Sequence, residues 1–227
     1  MSAHIFVSST ITGESIQYFV PSLLGKTDFR ALKPTRYVDR CAKAPVSIAP
    51  FAAMLAMRGR SMLSLDGIVQ ARSLLALRDL WYGKRLDMTS LCTLHASAIG
   101  RKSPSCLRDS AVWVDGLRPR DAALIPCPSS MVPGLLDDYF AFMSRTDVPH
   151  WMRLAIGHYQ LLMIHPFFDG NGRLSRLVAL LHAQRFVPRM AMVVAAALAL
   201  QRRAFRAALD SMRRGDVNAY QIGRAHV

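Results

Sequence analysis

His165-Pro-Phe-Phe-Asp169-Gly-Asn-Gly-Arg173-Leu-Ser-Arg176 is the stretch that decides the fold. An apolar segment with helical spacing, Leu154 to Ile164, leads into it, and Leu177, Leu180 and Leu181 carry a second one out of it. Between them the turn Asp169-Gly170-Asn171-Gly172 offers two glycines able to take positive φ, so that successive backbone N–H groups can line one concavity. A helix starting near Gly172 adds unpaired N–H groups and the positive end of its dipole. Arg173 and Arg176 share one face of that first turn. Cations are disfavoured there, by roughly 0.3–1 kcal/mol each at exposed sites, so two arginines make sense when an anion occupies the helix end.

The remaining side chains extend this to a polyphosphate site. Asp169 supplies a hard oxygen ligand of the kind Mg²⁺ takes alongside substrate phosphates. His165 ends the first helix, because Pro166 biases it away from right-handed helical geometry. Its imidazole, with an ordinary pKa near neutrality, can accept a proton from an incoming hydroxyl. Taken singly, each feature has an ordinary explanation: a plain turn, a structural histidine, solvated arginines. Their coincidence within twelve residues points to displacement at phosphate by a base, a metal and a cation clamp.

The segment resembles the signature of the Fic family, His-Pro-Phe-x-(Asp/Glu)-Gly-Asn-Gly-Arg-x-x-Arg, with every specified position matched. The resemblance spans roughly residues 13–220. Residues 88–113, including Arg108 and Val112-Trp113, resemble the family's pre-flap helix and flap hairpin. Ile125-Pro126-Cys127-Pro128 is similar to its hydrophobic-Pro-Pro-Pro turn, and residues 153–164 to the helix before the motif. Gly13-Glu14 with Phe19-Val20-Pro21 is similar to its N-terminal segment, and residues 215–220 to a Gly-Asp-Trp-x-x-Trp stretch. The fold so implied is mainly α: a helical bundle with a short β-hairpin flap and a small N-terminal β segment.

The resemblance implies a protein adenylyltransferase that moves AMP from ATP to a Ser, Thr or Tyr hydroxyl of a target protein, releasing pyrophosphate. His165 would be the general base and Asp169 the Mg²⁺ ligand. Phe168, Asp169, Gly170, Asn171, Gly172, Arg173 and Arg176 would surround the nucleotide phosphates, with Arg176 on the γ-phosphate. Gly172, where relatives that phosphorylate carry Lys, favours AMP transfer. Rival readings are a Fic-fold transferase using another nucleotide or a phosphocholine donor, and a catalytically impaired regulatory protein. ATP and a hydroxyl-bearing target protein are the implied partners, and a homo-oligomer stays open.

Three departures stand out. Relatives carry an inhibitory helix, (Ser/Thr)-x-x-x-Glu-(Gly/Asn), but this chain has a single Glu, Glu14. The nearest match is Met62-Leu63-Ser64-Leu65-Asp66-Gly67, so Asp66 is the candidate inhibitory carboxylate, one methylene short, and weak or absent autoinhibition is expected. The flap reads Ser103-Pro104-Ser105-Cys106-Leu107-Arg108, where relatives have Pro-Gly before an aromatic residue and Arg. The family's Tyr-Tyr pair near adenine appears as Ala204-Phe205, leaving Phe205 as the candidate adenine contact or a core residue.

Composition bounds the rest. A chain of 227 residues, 52% hydrophobic, buries one good core and is not disordered. Helical spacing runs through Ala52–Leu65, Val69–Trp81, Val132–Met143 and Val178–Leu209, and residues 4–8 and 15–20 alternate as strands. The expected division is an N-terminal segment and connector over 1–45 and a catalytic core over 46–221. The net charge of +14 would suit nucleic acid, but 24 of the 29 basic residues are Arg, spread along the chain. Nucleic-acid binding is therefore not expected. Cys41, Cys92, Cys106 and Cys127 lack metal spacing and read as free thiols in a reducing, cytoplasmic setting. The N-terminus has no signal-sequence pattern, and the apolar run Met190–Leu200 is too short to span a bilayer, so no membrane association is expected. Residues 222–227, Ile-Gly-Arg-Ala-His-Val, equal a translation of a common sequencing-adapter start. They are expected not to be biological, with the true C-terminus lying further on.

Overall fold

In the computed structural model, residues 5–11, 14–26, 28, 86–186 and 207 are described. Four helices among them carry the architecture: α1 (Met88–Ala98), α2 (Val132–Met143), α3 (His150–Ile164) and α4 (Asn171–Phe186). An antiparallel hairpin, β1 (Ile5–Ile11) and β2 (Glu14–Val20), precedes them, in register from Ile5 opposite Val20 to Ile11 opposite Glu14. The expected mainly helical fold with a small N-terminal β segment is therefore present. Asp66, Phe205, Cys41, the helical stretches at 52–65 and 69–81, the run 190–200, the segment 215–220 and residues 222–227 lie outside the described residues.

Local chemistry sets the boundaries of α1. The Asp87 carboxylate accepts from Ser90 N–H at 2.8 Å, and the Ser90 hydroxyl accepts from Asp87 N–H at 2.9 Å, a reciprocal cap that satisfies two otherwise orphaned donors. Leu91, Leu94, His95 and Ala98 recur at the i, i+3, i+4, i+7 spacing of one face and are all buried. The helix stops at Gly100, whose φ of 77° an L side chain would resist.

α3 is the centre of the bundle, and twelve of its fifteen residues are buried. It packs between α2 and α4, with Leu136, Phe142, Leu161, Ile164, Leu174 and Leu177 almost wholly shielded. Each such side chain contributes about 1.5–3 kcal/mol through removal of apolar area from water. α2 approaches closely because Gly157 has no side chain: a Cβ there would lie 2.5 Å from Met143 Sδ. The connection from α3 to α4 is short, so the two run antiparallel and bring residues 165–173 to one end of the pair.

The end of β2 is tied to the helices. Phe19 N–H donates to Ile125 O at 2.7 Å, and Leu24 and Gly25 N–H groups donate to the two Asp138 oxygens at 2.6 and 2.9 Å. Gln160 of α3 donates to Ser22 O at 2.8 Å. After α1 the chain makes one isolated antiparallel bridge, Val114 to Leu124, just beyond the residues 88–113 where the flap hairpin is expected, and it encloses a turn with positive φ at Asp115 and Gly116. Among the described residues, no helix is long and apolar enough to cross a membrane.

Candidate active site

The dodecapeptide forms the turn between α3 and α4, and each part of it is held by a definite contact. His165 caps α3 in the left-handed region, φ 52° and ψ 61°, the departure from right-handed geometry expected before Pro166. Phe167 is buried at 1% exposure. Asn171, also buried, closes the turn on itself: its Oδ1 accepts from Phe167 N–H at 3.0 Å and its Nδ2 donates to Phe167 O at 2.7 Å. The Asn171 side chain is thus engaged in shaping the loop, and its backbone N–H remains for an anion.

Gly170 carries φ 78°, and an added Cβ would meet Ile99 Cγ2 at 2.5 Å and His95 Nε2 at 2.9 Å. Gly172 differs: it already has helical geometry, and its imagined Cβ meets only Arg176 Nη1 at 3.4 Å. Of the two glycines, one supplies positive φ, and the other leaves room for the arginine that folds over the helix start. Leu174 N–H donates to Gly170 O at 2.9 Å, the first intrahelical bond of α4. By helix geometry the N–H groups of Asn171, Gly172 and Arg173 then have no carbonyl four residues back. Arg173 donates to Asp169 Oδ2 at 3.0 Å, with the Asp169 side chain 88% exposed. Phe168 is exposed beside them. The structure therefore gathers Phe168 through Arg173, Arg176 and His165 around one helix end.

The electrostatics of His165 depart from the sequence expectation of a near-neutral pKa. Burial pushes the imidazole down to about 4, opposed in part by the hydrogen bond to Leu162 O, with the Arg108 charge lowering it further and the Asp169 charge raising it slightly. The ring is therefore neutral at physiological pH. Its Nδ1 lies 3.3 Å from Leu162 O, which can only accept, so the proton sits on Nδ1 and Nε2 keeps the lone pair. Negative charge arriving beside it would raise its proton affinity.

Two side chains to which the sequence assigned no role in the site hold this turn from behind. Arg108, 2% exposed, donates through Nε to His165 O at 2.7 Å, through Nη1 to Ser110 O at 3.1 Å, and through Nη2 to Cys127 O and Ile164 O. Its own N–H donates to Pro166 O at 2.9 Å. A guanidinium at the C-terminal carbonyls of α3 complements the dipole there and fixes the peptide that carries His165. The Cys127 thiol is pushed up by burial and stays neutral. His95 of α1, 3% exposed, stacks on Phe167 with centroids 3.8 Å apart and reaches Asp169 O through Nε2 at 2.7 Å. The signal for His95 was present in the sequence as a polar residue in the apolar register of α1. Arg108 gave no local signal beyond its place in the flap pattern.

His158 lies two turns before His165, buried against Ser175, whose hydroxyl is 3.3 Å from Nε2. Burial lowers it to about 3. That suits the structural role expected of it. Cys92, Cys106 and Cys127 are free thiols. Among the described residues no group of three His, Cys, Asp or Glu could hold a metal by itself. An exposed carboxylate beside unpaired N–H groups nevertheless fits a hard cation whose remaining ligands come from phosphate and water.

Comparison with known proteins agrees with this geometry. Residues 85–183 match the Fic/DOC family. The chain is 29% identical over 97 residues to protein adenylyltransferase fic-1 of Caenorhabditis briggsae, a match covering 41% of this chain and 18% of that protein. The Caenorhabditis elegans protein adenylyltransferase fic-1 matches at 29% over 98 residues with the same shares. The match thus spans 18% of the length of these curated relatives. In fold, the chain is similar to a Fic family protein from Desulfovibrio desulfuricans G20, with a TM-score of 0.59 at 21% identity, covering 83% of this chain and 62% of that one.

Proposed function

With residues 85–183 a domain of the Fic/DOC family, and so of transferase type, we propose that the protein transfers AMP from ATP to a hydroxyl side chain of a target protein. One observation carries the reading: a neutral imidazole with its lone pair on Nε2 stands beside a helix N-terminus that bears two arginines. That pairing supplies a base for a hydroxyl and a seat for phosphates at once.

In this mechanism the N–H groups of Asn171, Gly172 and Arg173 receive phosphate oxygens, aided by the α4 dipole. Arg173 moves from Asp169 to a phosphate. The exchange costs little, because an ion pair this exposed is worth about 0–1 kcal/mol. Arg176, lying over Gly172, contributes the second cation. Asp169 would hold Mg²⁺, which when bound neutralises phosphate charge. The target oxygen attacks the α-phosphorus, its proton passes to His165 Nε2, and the bond to pyrophosphate breaks. Arg108, behind the ring, keeps His165 directed at the attacking oxygen.

The test is incubation of the purified chain with Mg²⁺, α-labelled ATP and a bacterial lysate, with His165→Ala alongside. Label on discrete proteins is expected, lost in His165→Ala while ATP binding persists. Much stronger competition by unlabelled UTP or GTP than by unlabelled ATP would replace AMP by another nucleotide. Equal labelling by His165→Ala would overturn the mechanism.

A further inference from the structure

We propose that His95, backed by Ser105, is a positioning residue that sets the direction of the Gly170 N–H as a donor to the bound phosphates. The inference rests on the nucleotide-transfer reading of the same turn.

The hydrogen bonds assign every proton along this line. Asp169 O can only accept, so His95 Nε2, 2.7 Å away, carries hydrogen. In the neutral ring Nδ1 is then the acceptor, and the Ser105 hydroxyl, 2.7 Å from it, donates. Phe167 stacks on the imidazole at 7° between planes, and Ile99 and His95 close over Gly170. The ring has no freedom to turn away.

The consequence follows from peptide geometry. No peptide bond among the described residues is cis. In a trans peptide the carbonyl and the next N–H point in opposite directions. With Asp169 C=O drawn toward α1 by His95, the Gly170 N–H points away from α1. It joins the three unpaired N–H groups at the start of α4 as a fourth donor. Without His95, the 169–170 peptide is free to rotate, since glycine tolerates either orientation. Ser105 comes from the loop after α1, and its own N–H is fixed to Cys92 O at 3.2 Å. The flap side of the molecule is thereby connected to the phosphate loop through one imidazole. His95 touches no reacting atom, because both of its nitrogens are engaged inside the protein.

The experiment uses the full chain with MgATP as probe. His95→Phe keeps an aromatic ring against Phe167 but loses the donor, whereas His95→Gln can restore an N–H near the Nε2 position. MgATP affinity by calorimetry is expected to fall roughly tenfold in His95→Phe, as for loss of one charge-assisted hydrogen bond, and to recover largely in His95→Gln. In the wild type, ¹⁵N spectra should show His95 protonated at Nε2 alone. The Gly170 amide should be among those moved most by MgATP, and should shift in free His95→Phe. A His95 ring protonated at Nδ1, or a folded His95→Phe with wild-type affinity and an unmoved Gly170 amide, would overturn the proposal. A wild type that binds no MgATP would remove the functional reading instead. The tautomer and the Gly170 amide shift in His95→Phe would still decide whether His95 sets this peptide.

Discussion

Replacing Gly170 by alanine separates the two glycines of the turn by their physics. At φ 78° an alanine sits in the left-handed region, costing about 1–2 kcal/mol. Its methyl carbon would also fall 2.5 Å from Ile99 Cγ2 and 2.9 Å from His95 Nε2. His95 cannot retreat freely, since it is buried and bonded at both nitrogens. Overpacking of this kind costs about 1–3 kcal/mol. The two effects together come to about 2–5 kcal/mol, or a fall of roughly 4–20 °C in Tm for a domain of this size. Gly172→Ala meets only Arg176 Nη1 at 3.4 Å, in helical geometry. It should leave stability unchanged or raise it by up to about 1 kcal/mol, while crowding the arginine. Thermal and urea unfolding followed by circular dichroism measure both, and calorimetry with MgATP measures the site. Gly170→Ala should lose stability and affinity together, and Gly172→Ala affinity alone. A Gly170→Ala protein within about 0.5 kcal/mol of wild type, the ordinary range for a neutral substitution, would refute the strained, crowded position described above.

Acid should weaken the fold well before the carboxylates titrate. His158 and His182 are 3% and 1% exposed and lowered by burial to about 3, against 6.5 for a free imidazole. A depressed folded pKa means that the unfolded chain takes up protons first, so stability is whole above pH 6.5 and falls as pH drops towards the folded values. Each ring should then remove about 1.3 kcal/mol between pH 7.5 and 5.5, so the urea midpoint should move down with an unchanged m-value. A midpoint constant over that range would contradict the neutral buried state. Arg108→Met should cost about 2–4 kcal/mol, through carbonyls left without donors in a buried site. In the folded fraction it should lower kcat more than it raises the KM for ATP. An unchanged kcat would show that His165 is oriented without it.

Local features were legible in the sequence and long-range ones were not. The spacing over 132–143 gave α2 to the residue, because its apolar pattern and Pro133 are contained within the helix. Pro166 announced the end of α3. Asn171 is expected in an anion hole through its backbone, and the inward turn of its side chain to Phe167 is a separate role that nothing in a Gly-Asn-Gly string foretells. The depressed His165 arises from burial by the whole bundle, which spacing does not report. His95 and Arg108 act on residues 74 and 57 positions away. Twelve residues disclose the groups gathered at the start of α4. The side chains standing behind them come into view only when α1 and its following loop are folded against the turn.

The double hydrogen bond between Asn171 and Phe167 has a consequence for when order is imposed. It closes residues 167–171 into a small ring held by the protein's own amide. Immobilising backbone costs about 1–2 kcal/mol per residue, and here that loss falls within the folding reaction. Under the proposed function, a phosphate arriving at α4 would meet a loop already in shape, so little chain entropy would oppose association. Opening the ring, as in Asn171→Ala, would transfer that cost to the binding step. The penalty would then be an unfavourable entropy of association, with the enthalpy of the phosphate contacts largely kept.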